Sequence, residues 1–287
     1  MICADASIII LAHNGVEFTR RNFKSILQAS VYPKEFIFAN NGSTDSTEEL
    51  VEEYVPKFAA AGINFIYWTN EENLGCSLGR NQCWEKATTN YVLFMDNDTA
   101  VCTPDWLSRL VEIMDANPKL GVLGPKLIYP FVPHQIQCAG VAVNPMGRIR
   151  FRGRGTERTN SDYAQFEKVP VLISACWIKR REFLESIGGL DEFFHPVQYE
   201  DLDFCMKVND SGYYCAYTPD VEIYHFEGKT TGSIGKSDYQ RNIVKQSAKF
   251  RKRWNHVFKH YEEDPLDYRW LPDDELGLSD EIVLDMS

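Results

Sequence analysis

Tyr91-Val-Leu-Phe-Met-Asp-Asn-Asp-Thr99 is the stretch on which the reading of this chain turns. Tyr91 to Met95 is an unbroken run of β-branched, aromatic and long apolar residues, the pattern of a strand buried on both faces. Charge appears where the run ends, as Asp96 and Asp98 with one residue between them. In an open α/β sheet, ligands bind outside the carboxyl ends of the strands, so this pair faces a cleft. Oxygen-only ligands suit a hard cation such as Mg²⁺ or Mn²⁺, which takes one or two carboxylates and completes its shell from water and phosphate. Taken alone, Asp-X-Asp reads equally well as a polar exit from a strand.

Working outward, the preceding residues alternate strand and helix. Ser7 to Ala12 is a first strand ending in the turn His13-Asn14-Gly15, and Val16 to Ala29 carries apolar residues at helical spacing (Phe18, Phe23, Ile26, Leu27). Glu35 to Ala39 is a second strand. Ser46-Thr47-Glu48-Glu49 has the form of a capping box, followed by the helical face Leu50, Val51, Tyr54, Val55 and Phe58. A third strand lies near Ile63 to Trp68, and a helix from Leu78 to Ala87 leads to the strand at Tyr91. This alternation predicts a mostly parallel sheet covered by helices on both faces.

Beyond the aspartates, Thr103 as cap and Pro104 at the first position predict a helix to about Asn117. Strands are expected at Gly121 to Leu123, Ala139 to Val143, Val169 to Ala175, Tyr213 to Thr218 and Val221 to Phe226, and helices near Arg180, over Asp201 to Asn209 and over Ser237 to Trp254. Asn144 to Lys168 reads as a mobile loop or hairpin over the cleft. Its alternating Arg148, Arg150, Arg152 and Arg154 would share one face if extended, and could there bind a phosphorylated acceptor.

A chain of 287 residues can bury a large core. The formal charge of -11 is concentrated at the C-terminus, where residues 262–287 hold ten acidic side chains and one arginine. The remainder is close to neutral, which argues against nucleic acid as a partner. The acidic stretch reads as a solvated extension or a segment laid over the body, with Tyr268, Trp270, Leu271, Ile282, Val283 and Leu284 as anchors. Eight scattered cysteines without a C-x-x-C pair fit reduced thiols in the cytoplasm. No apolar run reaches the roughly 18 residues of a membrane helix.

Six ordered motifs together make the chain similar to glycosyltransferase family 2, with its GT-A fold, over about Ser7 to Gly232. They are Leu11-Ala12-His13-Asn14, the turn Asn40 to Asp45, Asn73-Leu74-Gly75 with Gly79-Arg80-Asn81, Asp96-Asn97-Asp98, Gly188 to Glu192, and Glu200-Asp201. Leu123 to Pro130, Gln137-Cys138-Ala139-Gly140 and the arginine-rich loop resemble the bacterial rhamnosyltransferase-like members that build surface polysaccharides. The resemblance implies one domain over 1–261, with a nucleotide-binding half to about 125, an acceptor-side half from about 126 and an acidic tail over 262–287. It implies an inverting, Mn²⁺- or Mg²⁺-dependent enzyme that moves sugar from a UDP- or dTDP-sugar to a hydroxyl of a glycan or lipid-linked saccharide. A protein side chain, a small metabolite, or sugar-nucleotide binding without catalysis remain alternatives.

By that resemblance Asp98 is the closer metal ligand, Asp96 lies nearer the ribose, and His225 is a third ligand. Ala12, His13, Asn14, Asn73, Gly75 and Asn97 line the nucleotide, Asn40 stands where the family has a base-binding aspartate, and Arg80 approaches base and phosphates. Asp201 is the candidate general base, with Glu200 holding the acceptor or orienting Asp201; Asp203 competes for the base role, and Asp201 could instead cap the following helix. Lys229, in a Gly-flanked loop, could reach the diphosphate, and Trp177 and Cys176 are candidate floor residues. The basic run Lys245, Lys249, Arg251, Lys252 and Arg253 suggests a peripheral contact with the inner face of the plasma membrane.

Overall fold

The computed structural model describes residues 3–227, 236–261 and 275–285. The first half alternates as expected: β1 (Cys3–Ala12), α1 (Val16–Gln28), β2 (Tyr32–Asn41), α2 (Thr47–Ala60), β3 (Asn64–Asn70), α3 (Cys76–Trp84) and β4 (Tyr91–Asp96). These strands run parallel in the order β4-β1-β2-β3. Leu11 pairs with Asp96, Ala12 with Asn40, and Asn40 with Thr69, so the strand ends form one row. On the α1–α2 side, Phe23 is fully buried against the rings of Phe36, Phe38, Tyr54 and Phe58, at centroid distances of 5.2–5.4 Å. Burial of one such ring contributes about 1.5–3 kcal/mol, which fixes helix against strand.

The second half contains β5 (Thr99–Val101), α4 (Trp106–Ala116), β6 (Leu120–Ile128), β7 (Ile136–Cys138), β8 (Val141–Val143), β9 (Ile149–Phe151), β10 (Glu167–Val169), β11 (Cys176–Arg180), α5 (Arg181–Ile187), α6 (Glu200–Asp210), β12 (Tyr214–His225) and α7 (Lys236–Phe258). Among the described residues the sheet reads β10-β12-β6-β11-β4-β1-β2-β3, with β5 on β12 and β7 on β6. The long strands are mostly parallel. Antiparallel pairing enters where β11 inserts between β4 and β6, and where the end of β12 meets β5, pairing His225 with Thr99.

Several local expectations need correction. The strand expected over Val169 to Ala175 ends at Val169; beyond it Val171 makes one isolated bridge to Val141, and β11 begins only at Cys176. Ser46 makes no side-chain cap; instead Asp45 Oδ1 accepts from the Thr47 amide at 3.2 Å and its hydroxyl at 2.5 Å. Pro104 precedes α4 rather than opening it, and the Thr103 hydroxyl accepts from the Glu222 amide. The four arginines do not share a face, because β9 stops at Phe151. Arg152 then turns to Glu167, and Arg154 to Glu227.

Of the acidic tail, residues 275–285 lie over the body. Ile282 bridges Phe131, the Val283 amide donates to Pro130 O, and the Ser279 amide donates to Val132 O. The other proposed anchors, Tyr268, Trp270 and Leu271, fall outside the described residues.

Candidate active site

The row of strand ends carries the first cluster. β4 delivers Asp96, the turn after it buries Asp98, and the antiparallel contact with β5 brings His225 beside them. His225 Nε2 is 3.5 Å from Asp98 Oδ1 and 4.0 Å from Asp96 Oδ2. One ligand atom from each residue lies within 4.8 Å of the other two. The Phe226 amide donates to Asp98 O at 2.9 Å, which pins the end of β12 to this turn. Asp98 Oδ1 is buried and has no hydrogen-bond partner. Burial opposes a charged imidazole, yet Asp98 and Asp96 together hold the His225 pKa above its ordinary value. A pocket that draws positive charge onto a buried histidine, and leaves a carboxylate oxygen without a donor, fits a divalent cation.

Arg80 joins this cluster to the second one. Projecting from α3 and 3% exposed, it pairs through Nη2 with Asp96 Oδ1, while Nη1 donates to Ser174 Oγ at 2.5 Å. The Ser174 amide in turn donates to Asp201 Oδ2 at 3.0 Å. Arg80 is therefore a buried bridge rather than a surface ion pair. Asp201 does not cap α6; the cap position belongs to Tyr199, and Asp201 Oδ1 accepts from the Leu202 amide. Burial first, and then the neighbouring Asp201 carboxylate, push Glu200 up to about 7. Burial likewise raises Asp201, against the opposing pull of the Ser174 and Leu202 amides. Asp203 cannot compete for the base role: it is fully buried, and its Oδ1 accepts from Arg253 and from the Trp254 indole.

The residues expected to line a nucleotide lie at the strand ends and in the loops that follow them, where several are occupied in holding one another. Ala12 is buried at the end of β1, and His13 Nδ1 lies 3.0 Å from Asn41 O. Asn14 Oδ1 accepts from the Thr44 amide, stapling the loop after β1 to the loop after β2. Asn40 Oδ1 accepts from the Ser43 amide. Asn73 Oδ1 accepts from Asn41 Nδ2 and the Gly75 amide, and Asn97 Nδ2 donates to Asn14 O and Thr19 Oγ1, so both serve to shape loops. Gly75 has φ 75°, and a Cβ there would lie 2.6 Å from Pro196 O, so only glycine permits this approach between the two sides of the cleft.

Two sequence motifs also meet, as Asn81 Nδ2 donates to Leu190 O and the Leu190 amide donates to Asn81 Oδ1. Trp177 and Cys176, the candidate floor residues, are both buried; the indole packs between Phe94 and Phe204, and Cys176 takes the core position that is the simpler reading of a cysteine there. Lys229 lies outside the described residues. Sequence reasoning missed Ser174, Gln137 and Glu227. Gln137 lies in the family-like stretch Gln137 to Gly140, and its position next to His225 follows from pairing of β7 with β6, which spacing does not reveal.

The chain is 28% identical over 246 residues to the O-antigen biosynthesis protein RfbC of Myxococcus xanthus, covering 81% of this chain and 18% of that protein. It is 25% identical over 244 residues to the N-acetylglucosaminyl-diphospho-decaprenol L-rhamnosyltransferase of Mycobacterium tuberculosis, covering 78% of this chain and 77% of that one. The chain spans less than a third of the length of some relatives it matches. Among solved structures, GalNAc-T7 with UDP, GalNAc and Mn²⁺ superposes with a TM-score of 0.67 at 17% identity, over 88% of this chain and 50% of that one, a likeness of fold with the GT-A enzymes. The sequence model of glycosyl transferase family 2 matches residues 7–188, well over half of the molecule. On that match, and with a fold of the same kind, the chain belongs to glycosyl transferase family 2.

Proposed function

We propose that the protein is an inverting, divalent-metal-dependent glycosyltransferase that uses a UDP- or dTDP-sugar and extends a bacterial surface glycan or its lipid-linked precursor. The observation that carries this is the continuous link Asp96–Arg80–Ser174–Asp201, which joins a cation-type cluster to the adjacent carboxylates of Glu200 and Asp201. A bound Mn²⁺ or Mg²⁺ would offset the negative charge developing on a diphosphate leaving group. Asp96, Asp98 and His225 would hold it. Asp201 accepts the proton of the acceptor hydroxyl as the new bond forms, and a single displacement with one base inverts the anomeric centre. Glu200, protonated more readily than an ordinary carboxyl, donates a hydrogen bond to the acceptor or to Asp201. The diphosphate-linked acceptor in the name of the mycobacterial relative supports a lipid-linked saccharide here.

A screen of nucleotide sugars with Mn²⁺ tests the reading. A UDP- or dTDP-sugar is expected to raise the melting temperature and to be hydrolysed slowly only when the metal is present. Metal-independent binding without hydrolysis of any donor would reduce the protein to a binding module.

Among the described residues no helix is long and apolar enough to cross a membrane. We place the protein in the cytoplasm, against the inner membrane face, through α7. From Tyr239 to its end at Phe258 that helix carries no acidic residue; Lys245, Arg251 and Lys252 on it are exposed, as is Lys259 just beyond it. Val244 is 68% exposed, as is 60% of Met146, in a turn where Gly147 packs on Arg251 and Phe258. Basic side chains around exposed apolar ones suit an anionic lipid surface, worth about 1 kcal/mol per lysine or arginine near it. The protein should co-sediment with phosphatidylglycerol vesicles at low salt, and Lys245→Glu with Lys252→Glu should release it. Equal binding to phosphatidylcholine, or none to either, would refute the contact.

A further inference from the structure

Behind His225 lies a chain of polar groups. His225 Nδ1 is 2.8 Å from Gln137 Oε1, and Gln137, itself fully buried on β7, donates through Nε2 to Glu227 Oε2 at 3.1 Å. Glu227 Oε2 also accepts from the Tyr129 hydroxyl and from Arg154 Nη1, both at 2.9 Å. A carboxylate facing three donors can only accept, so it dictates which end of the Gln137 amide turns toward it. The amide oxygen must then face His225, and it too can only accept. Nδ1 therefore carries the proton, and when the ring is neutral Nε2 presents its lone pair to the space between Asp98 and Asp96.

We infer that Gln137, oriented by Glu227 and through it by Arg154 and Tyr129, is a positioning residue that fixes the His225 tautomer for cation binding. The inference rests on the reading of Asp96, Asp98 and His225 as a metal site. It gives Arg154 a task other than acceptor recognition, since its guanidinium is committed to Glu227 and its side chain is only 5% exposed. Partners behind a metal-bound histidine typically change metal affinity by about 10–100-fold when removed, because they hold both the ring and its proton in place.

The tautomer is read directly from the long-range ¹H–¹⁵N NMR spectrum of the metal-free protein at alkaline pH, where the ring is neutral. Wild type should show Nδ1–H and a bare Nε2; a proton on Nε2 overturns the inference without any variant. Mn²⁺ affinity, measured by electron paramagnetic resonance, should fall about 10–100-fold in Gln137→Met, which keeps the size but removes the acceptor. In Gln137→Glu the acceptor oxygen remains, and the Nδ1–H form should persist in the spectrum. Unchanged Mn²⁺ affinity in Gln137→Met, alongside lost affinity in Asp98→Ala, overturns the inference alone. Unchanged affinity in Asp98→Ala overturns the metal site itself. If Gln137→Met does not fold, the wild-type and Gln137→Glu spectra decide.

Discussion

Replacing Asp98 with alanine is expected to abolish donor turnover, with a loss of a thousandfold or more measured as nucleotide release from the best UDP- or dTDP-sugar. Charge stabilisation by a bound cation is worth several kcal/mol, and each 1.36 kcal/mol is about tenfold in rate. Asp98 is the group whose removal should cost most. It is 2% exposed, it has an oxygen without a hydrogen-bond donor, and it faces His225 at 3.5 Å. The fold should survive, because the Phe226 amide bonds to the Asp98 main-chain carbonyl and not to the side chain. The circular dichroism spectrum should therefore match wild type while the Mn²⁺-dependent rise in melting temperature disappears. Turnover within a few-fold of wild type would sink the assignment of this cluster.

Asp201→Asn should separate binding from transfer. The change is nearly isosteric, and the amide oxygen can still accept from Ser174 or Leu202, so the loop that ends at Ser174 keeps an anchor. It cannot take a proton. General-base catalysis contributes about 10²–10⁴-fold, and a loss of that size in kcat, with nucleotide-sugar affinity close to wild type, is the expected result. The neighbouring Asp203 offers no escape route, being enclosed by Arg253, Trp254 and Lys207. Transfer at the normal rate would show that the proton leaves by another group.

The first half of the chain was legible because its apolar runs are long, its turns are marked by Gly and Asn, and each strand precedes its own helix. Asp96 and Asp98 are legible for the same reason, since they lie just past an unmistakable strand, whereas Arg80 is marked only by the family-like motif Gly79-Arg80-Asn81. β11 was not legible. Its sequence Cys176-Trp-Ile-Lys-Arg180 carries two basic residues, and Lys179 is fully buried with its nitrogen 3.4 Å from the centroid of the Phe94 ring. Burial depresses the pKa of that amine well below its usual value, a circumstance that residue type alone contradicts. Ser174 escaped notice because its role is a main-chain amide and a hydroxyl in an irregular segment, a pattern shared by many loop serines. The capping expectations at Ser46 and Thr103 fail for different reasons: the carboxylate of Asp45, one residue earlier, takes the Thr47 amide at the start of α2, and the Thr103 hydroxyl accepts from Glu222 across the sheet instead.

The insertion of β11 between β4 and β6 has a mechanical consequence. Cys176 to Arg180 pair along the whole of Tyr91 to Met95, and Ile178 and Lys179 pair on the other side with Leu123 and Val122. Residues from the first and second halves of the chain are thus knitted into a single hydrogen-bonded fabric, sewn by a strand, Cys176–Arg180, that arrives well after the Leu120–Ile128 strand it joins. A fragment ending near residue 125 would lack β11 and bare the edge of β4 that faces away from β1, an apolar edge of the kind that recruits neighbours. Opening and closing around substrates must then fall to the loops above the sheet, since the fabric beneath them has no place to fold.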